Sequence, residues 1–133
     1  MRTIKYFIVL ILTPLLIASC ESNSNIGDSS SIIGNWVWVK SSGGIAGQTH
    51  TPESTGKQVV LEINRHRVKR FENGEFMSEL TYKIELGESI RSTEKIKLII
   101  YENDWKQSFE RNGNKLFLYD ECYDCFQYEY VME

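Results

Sequence analysis

Phe76-Met77-Ser78-Glu79-Leu80-Thr81-Tyr82-Lys83-Ile84-Glu85-Leu86 is the stretch that decides the fold class. Phe76, Leu80, Tyr82, Ile84 and Leu86 share one side of it; Met77, Glu79, Thr81, Lys83 and Glu85 share the other. A period of two puts one face on a core and the other in water, the pattern of a half-buried antiparallel strand. A helix needs a period near 3.6, and no stretch after residue 31 keeps that period for three turns. Only one alanine, Ala46, follows Ser31.

Outward from this segment, strand signals recur at 32–40, 58–63, 67–71, 95–101, 105–111, 115–119 and 126–131, with 76–86 among them. Asn73-Gly74 and Asn112-Gly113 are hairpin dipeptides, because both residue types accept the positive φ those turns require. Asn103-Asp104 and Asn64-Arg65-His66 are further short links. Short links force neighbours to pair antiparallel as a meander. An open meander exposes two edges, and closure removes them. The expectation is an all-β, eight-stranded antiparallel up-and-down barrel over 32–133, with a sandwich as the alternative. Residues 41–57 form the one long connection and include Gly43, Gly44, Gly47 and Gly56. They read as a structureless flap over one mouth, or as a mobile loop with no role.

The chain start carries a different message. Arg2 and Lys5 precede an apolar run over 6–17, followed by Ala18-Ser19-Cys20. The run is shorter than the roughly 20 residues of a membrane span, and a charged start, short apolar centre and small-residue end mark an export signal. Ile17-Ala18-Ser19-Cys20 resembles the lipobox of bacterial lipoproteins. The resemblance implies a signal peptide at 1–19, diacylglyceryl transfer to Cys20, and acylation of the new N-terminus by palmitate-type chains. Residues 20–31 then form the lipidated cysteine and a polar tether.

The whole chain has 133 residues and a net charge of −3; beyond residue 20 there are 13 basic and 18 acidic side chains, net −5. That balance argues against a nucleic-acid partner. Two histidines and three cysteines leave little material for metal or nucleophilic chemistry. Cys122-Tyr123-Asp124-Cys125 lacks the strand-to-helix setting of a redox pair, and a zinc site needs about four ligands. In an oxidising envelope Cys122 and Cys125 are expected to form a disulfide that staples a turn, with free thiols as the alternative. Arg65-His66-Arg67-Val68-Lys69-Arg70 is a basic cluster at a hairpin, with Arg67 and Lys69 on one face and Arg70 on the other. It reads as a solvated turn, or as a contact for lipid headgroups or an anionic ligand. Gly43-Gly44-Ile45-Ala46-Gly47 has no following Lys-Ser/Thr and no helix, so it is no phosphate cradle. The acids fall mostly on outer faces. No catalytic residue, cofactor or metal is assigned, and the chain is read as a non-enzyme.

Gly34-Asn35-Trp36 opens the first strand, and this resembles the Gly-x-Trp motif of lipocalins. The wider pattern is similar to short lipocalin-like lipoproteins of Gram-negative bacteria, above all Bacteroidetes. The resemblance implies structural roles for Gly34 and Trp36, with Trp36 plugging one end. It also implies a monomer anchored through its lipid, in the outer membrane if Glu21 sorts as in other lipoproteins. Typical lipocalins carry a helix after the eighth strand, and none is expected here. If Trp36 faces inward, so do Trp38, Val59, Leu61, Ile63, Leu80, Tyr82, Ile84, Ile96, Leu98, Ile100, Trp105, Phe109, Leu116, Leu118, Phe126, Tyr128 and Tyr130. These large residues either fill the lumen or line a pocket for a small apolar or amphipathic molecule. Trp38, Tyr101, Trp105, Phe109, Tyr128 and Tyr130 are the ligand-binding candidates. The competing function is a protein-interaction or inhibitor module with a packed barrel and no ligand.

Overall fold

The computed structural model describes residues 31–133. The expected signal peptide, Cys20 and the tether up to residue 30 lie outside the described residues. The elements are β1 (Gly34–Gly43), β2 (Gln48–His50), α1 (Pro52–Thr55), β3 (Val59–Ile63), β4 (Arg67–Glu72), β5 (Glu75–Ser89), β6 (Ser92–Tyr101), β7 (Lys106–Asn112), β8 (Lys115–Asp120) and β9 (Phe126–Met132). The sheet order is β2-β1-β3-β4-β5-β6-β7-β8-β9, and β1 also pairs with β9. β1 and β3 to β9 therefore close an eight-stranded antiparallel barrel. No helix follows β9 among the described residues.

β1 closes the barrel by serving three partners. One edge carries β3 along residues 34–37 and β2 along 41–43; the other carries β9 along 36–43. A bulge between Trp38 and Lys40 absorbs one residue. Such an extra residue shifts the alternation, so that Trp38 and Ser41 both face the interior. The 41–57 segment is thus ordered rather than a structureless flap. Its start prolongs β1, its middle returns as β2, and its end is α1. The short helix holds because Thr51 and Ser54 cap it reciprocally: Thr51 Oγ1 accepts from the Ser54 N–H (3.3 Å), and Ser54 Oγ accepts from the Thr51 N–H (2.9 Å).

β5 pairs with β4 through residues 75–81 and with β6 through 82–89. The β5–β6 tip folds back over the outside of β8. Ser89 Oγ donates to Glu121 Oε1 and the Ile90 N–H donates to Oε2, both at 3.0 Å, while the Arg91 guanidinium lies 3.8 Å above the Tyr119 ring. On that outer face Leu98, opposite Ser108, is fully buried. This corrects the inward set. Tyr82 pairs with Tyr101 and Ile84 with Ile99, so Ile99 and Tyr101 face the core and Ile96, Leu98 and Ile100 do not. The residues 98–100 are apolar on both faces, so period two cannot choose between them.

Trp36 is wholly buried. Its Nε1–H donates to the Ile32 carbonyl (2.8 Å), and the Arg111 guanidinium stands 5.4 Å from its ring while donating to the Ser31 carbonyl (2.8 Å). Gly34 leaves space for this corner, since a Cβ there would stand 3.1 Å from Met132 Cε. Burying one indole removes about 200 Å² from water, an upper bound of about 5 kcal/mol. Trp36 thus plugs one end of the barrel.

Candidate binding site in the barrel lumen

The opposite half of the lumen is not filled. A cavity of about 350 Å³ lies among Leu61, Val68, Leu80 and Leu118, with Tyr101, Trp105 and Gln107 on its other wall. A second cavity of about 220 Å³ lies beneath the α1 side, against Trp38, Ser41, His50 and Lys57. The two share Arg70, Tyr128 and Tyr130 as a common partition. The register creates the gap: residues 75–80 of β5 pair with β4 and have no ladder partner on their other edge among the described residues. Ser78, Leu80 and Trp105 line this cavity, and Trp105, 44% exposed, forms an apolar rim.

One wall carries a connected polar group. Gln107 and Asp120 are register partners on the inward face. Asp120 Oδ1 accepts from Gln107 Nε2 (2.8 Å) and Trp105 Nε1 (3.3 Å), and Oδ2 accepts from the Tyr128 hydroxyl (3.2 Å). The Tyr101 hydroxyl donates to Gln107 Oε1 (2.7 Å). A buried carboxylate survives because three donors replace its water. Burial, reinforced by the Asp120 charge, pushes Tyr128 up to about 12. Burial likewise raises Tyr101 and Tyr130 far above the ordinary phenol range. All three phenols therefore stay protonated donors near neutral pH.

Arg70 stands on the facing wall. It pairs with Leu61 and Ser78 on the inward face, and its guanidinium donates to Glu72 Oε2 (3.0 Å). Lys57 Nζ holds the other Glu72 oxygen at 3.0 Å. The Lys57 hydrogen bond, more than the Arg70 one, keeps the Glu72 carboxyl below the usual carboxylate range.

Of the sequence candidates, Trp38 lines the smaller cavity, Tyr101 and Trp105 the larger, and Tyr128 and Tyr130 both. Phe109 lines neither; it packs against the buried cluster. Sequence reasoning missed Ser41, Ser78, Gln107 and Asp120, and it read Arg70 as part of the basic hairpin cluster rather than as a lumen residue. Parity was the available signal: Arg70 is two residues from Val68, Gln107 lies between Trp105 and Phe109, and Asp120 follows Leu118 by two.

The Sγ atoms of Cys122 and Cys125 are joined, with Cα atoms 5.6 Å apart. Their loop borders a groove of about 640 Å³ shared with Ile90, Arg91 and Tyr123. That groove is larger but lies open on the outside. The lumen cavities combine concavity, apolar walls and convergent polar groups, which is the usual make-up of a ligand site. Among the described residues no three His, Cys, Asp or Glu side chains stand together as a metal site. No family model matches the chain, and neither a curated protein nor a solved structure matches it.

Proposed function

We propose that this chain is a lipid-anchored envelope lipoprotein whose lipocalin-like barrel binds a small amphipathic molecule in its lumen. The observation that carries the reading is the cavity of about 350 Å³ with four aliphatic side chains on one wall and Tyr101, Gln107 and Tyr128, tied together through Asp120 behind them, on the other. Ligand sites begin at about 300 Å³. A packed barrel, the competing arrangement, would have placed side chains in this volume. The apolar wall takes a hydrocarbon or ring, and the polar wall orients it. Lipid anchoring rests on the lipobox-like 17–20 segment, and acylation of Cys20 would hold the barrel at a membrane surface.

Native mass spectrometry of the protein purified from its own host tests both halves. The expected spectrum shows a mass increment for acyl chains on Cys20 and a small molecule that leaves on collisional activation. An unacylated chain removes the anchor. A clean unliganded mass, with no small molecule extractable into organic solvent, removes the binding role.

A further inference from the structure

The smaller cavity is unbalanced in its hydrogen-bonding groups. Trp38 Nε1 is buried without a hydrogen-bond partner, although a buried N–H normally has one. Tyr130, 6% exposed, lines the same cavity with its phenol. Arg70 lines the cavity and uses one terminal nitrogen on Glu72. Ser41 is also buried on this wall. No carboxylate lines the cavity. Glu72 stands behind it with both oxygens already taken, one by Lys57 and one by Arg70. Two cations thus share one anion on this side, while Asp120 stands beyond Tyr128. An unpartnered indole N–H, two cationic side chains and no carboxylate on the lining describe a receptor for an anionic group.

We infer that the smaller cavity receives a carboxylate, the headgroup of an amphipathic acid whose apolar portion lies in the larger cavity. The inference rests on the lumen-binding reading and specifies its ligand class. The shared partition of Arg70, Tyr128 and Tyr130 supports this arrangement, because a molecule spanning both cavities passes these residues. Asp120 stands behind the Trp105, Gln107 and Tyr128 wall of the larger cavity and gives that side the opposite polarity. It is held by three donors, and a second anion beside it would be repelled, so the headgroup is directed to the Arg70 side.

Isothermal titration calorimetry with decanoic acid, decanol and decylamine, which share one chain length and differ in headgroup charge, tests the assignment. Decanoate is expected to bind on the order of tenfold more tightly than decanol, as for a hydrogen bond to a charged group. Arg70→Gln is expected to remove that advantage, so that acid and alcohol bind the variant equally. Tyr130→Phe, which deletes only the hydroxyl, is expected to weaken decanoate by a few-fold, more than it weakens decanol. A far-UV circular dichroism spectrum and a cooperative thermal transition like those of the parent chain show that each variant has folded. Equal affinity for acid and alcohol, tighter binding of the amine, or an Arg70→Gln variant that keeps its preference for the acid overturns the headgroup assignment and leaves lumen binding standing. Failure of all three probes to bind overturns both.

Discussion

Trp36 and Trp105 carry the same indole into opposite environments, and their replacements should separate stability from binding. Trp36 is wholly buried and hydrogen-bonded to the Ile32 carbonyl, whereas Trp105 is 44% exposed at the cavity rim. Trp36→Ala is expected to cost about 4 kcal/mol, the range for emptying an aromatic core position. Trp105→Ala is expected to cost about 1 kcal/mol, because only part of its surface and one hydrogen bond to Asp120 are lost. Urea unfolding of the two variants checks this, and equal losses would contradict the assignment of plug and rim. Asp120 is the residue on which the polar wall depends. Removing its acceptor oxygens strands Gln107, Trp105 and Tyr128 together.

At the scale of elements, the junction of β1 with β9 is the tightest feature. Gly43 has φ 152°, a region unfavourable to side chains, and an added Cβ would collide with the Cys125 carbonyl oxygen and lie 2.8 Å from Phe126 Cα. Both obstacles are backbone, so they cannot swing away. Gly43→Ala is expected to destabilise by more than about 2 kcal/mol and to loosen the β1–β9 ladder that closes the barrel. Thr51→Ala, at the α1 cap, is expected to cost about 1 kcal/mol and to leave that ladder intact. Amide hydrogen exchange distinguishes them: faster exchange across residues 126–132 in the glycine variant only is the expected pattern. Legibility also differed between elements. The strands from β3 onward were readable from alternation and Asn-Gly turns. β2 and α1 were not, since three residues against a strand end carry no periodicity, and a single capped turn is too short to show a helical face.

At the scale of the molecule, the buried tyrosines tie stability to alkaline pH. Tyr101, Tyr128 and Tyr130 are all raised when folded, by burial first, whereas an unfolded tyrosine ionises near pH 10. A folded pKa above the unfolded value means that the unfolded chain releases protons first as pH rises. The contribution is therefore complete below about pH 10 and declines as pH climbs through the folded values. Thermal unfolding followed by phenolate absorbance should show a falling midpoint above about pH 10, with part of the phenolate signal appearing only on unfolding. A single titration of every tyrosine near pH 10 in the folded protein would contradict this. On the acid side, Glu129 is held low by its hydrogen bond to Lys115 and then by Lys40, so its smaller contribution is present above about pH 4.5 and fades below it. The pairs are surface-facing, and solvent keeps them weak.

The sequence by itself determined the all-β class, most strand positions, the turns, and the two glycine and tryptophan positions at the start of β1. Each is a property of neighbours along the chain, where alternation and turn geometry act within a few residues. The tertiary structure decided which face of 95–101 is inside, that Arg70 borders the lumen cavities and Asp120 is buried, and that the lumen keeps a cavity. Those outcomes depend on register and on partners from other strands. A charge is tolerated inside only where donors such as Gln107 and Tyr128 converge on it from different strands. A void is likewise what eight strands' side chains together leave unfilled, and no local pattern states that sum.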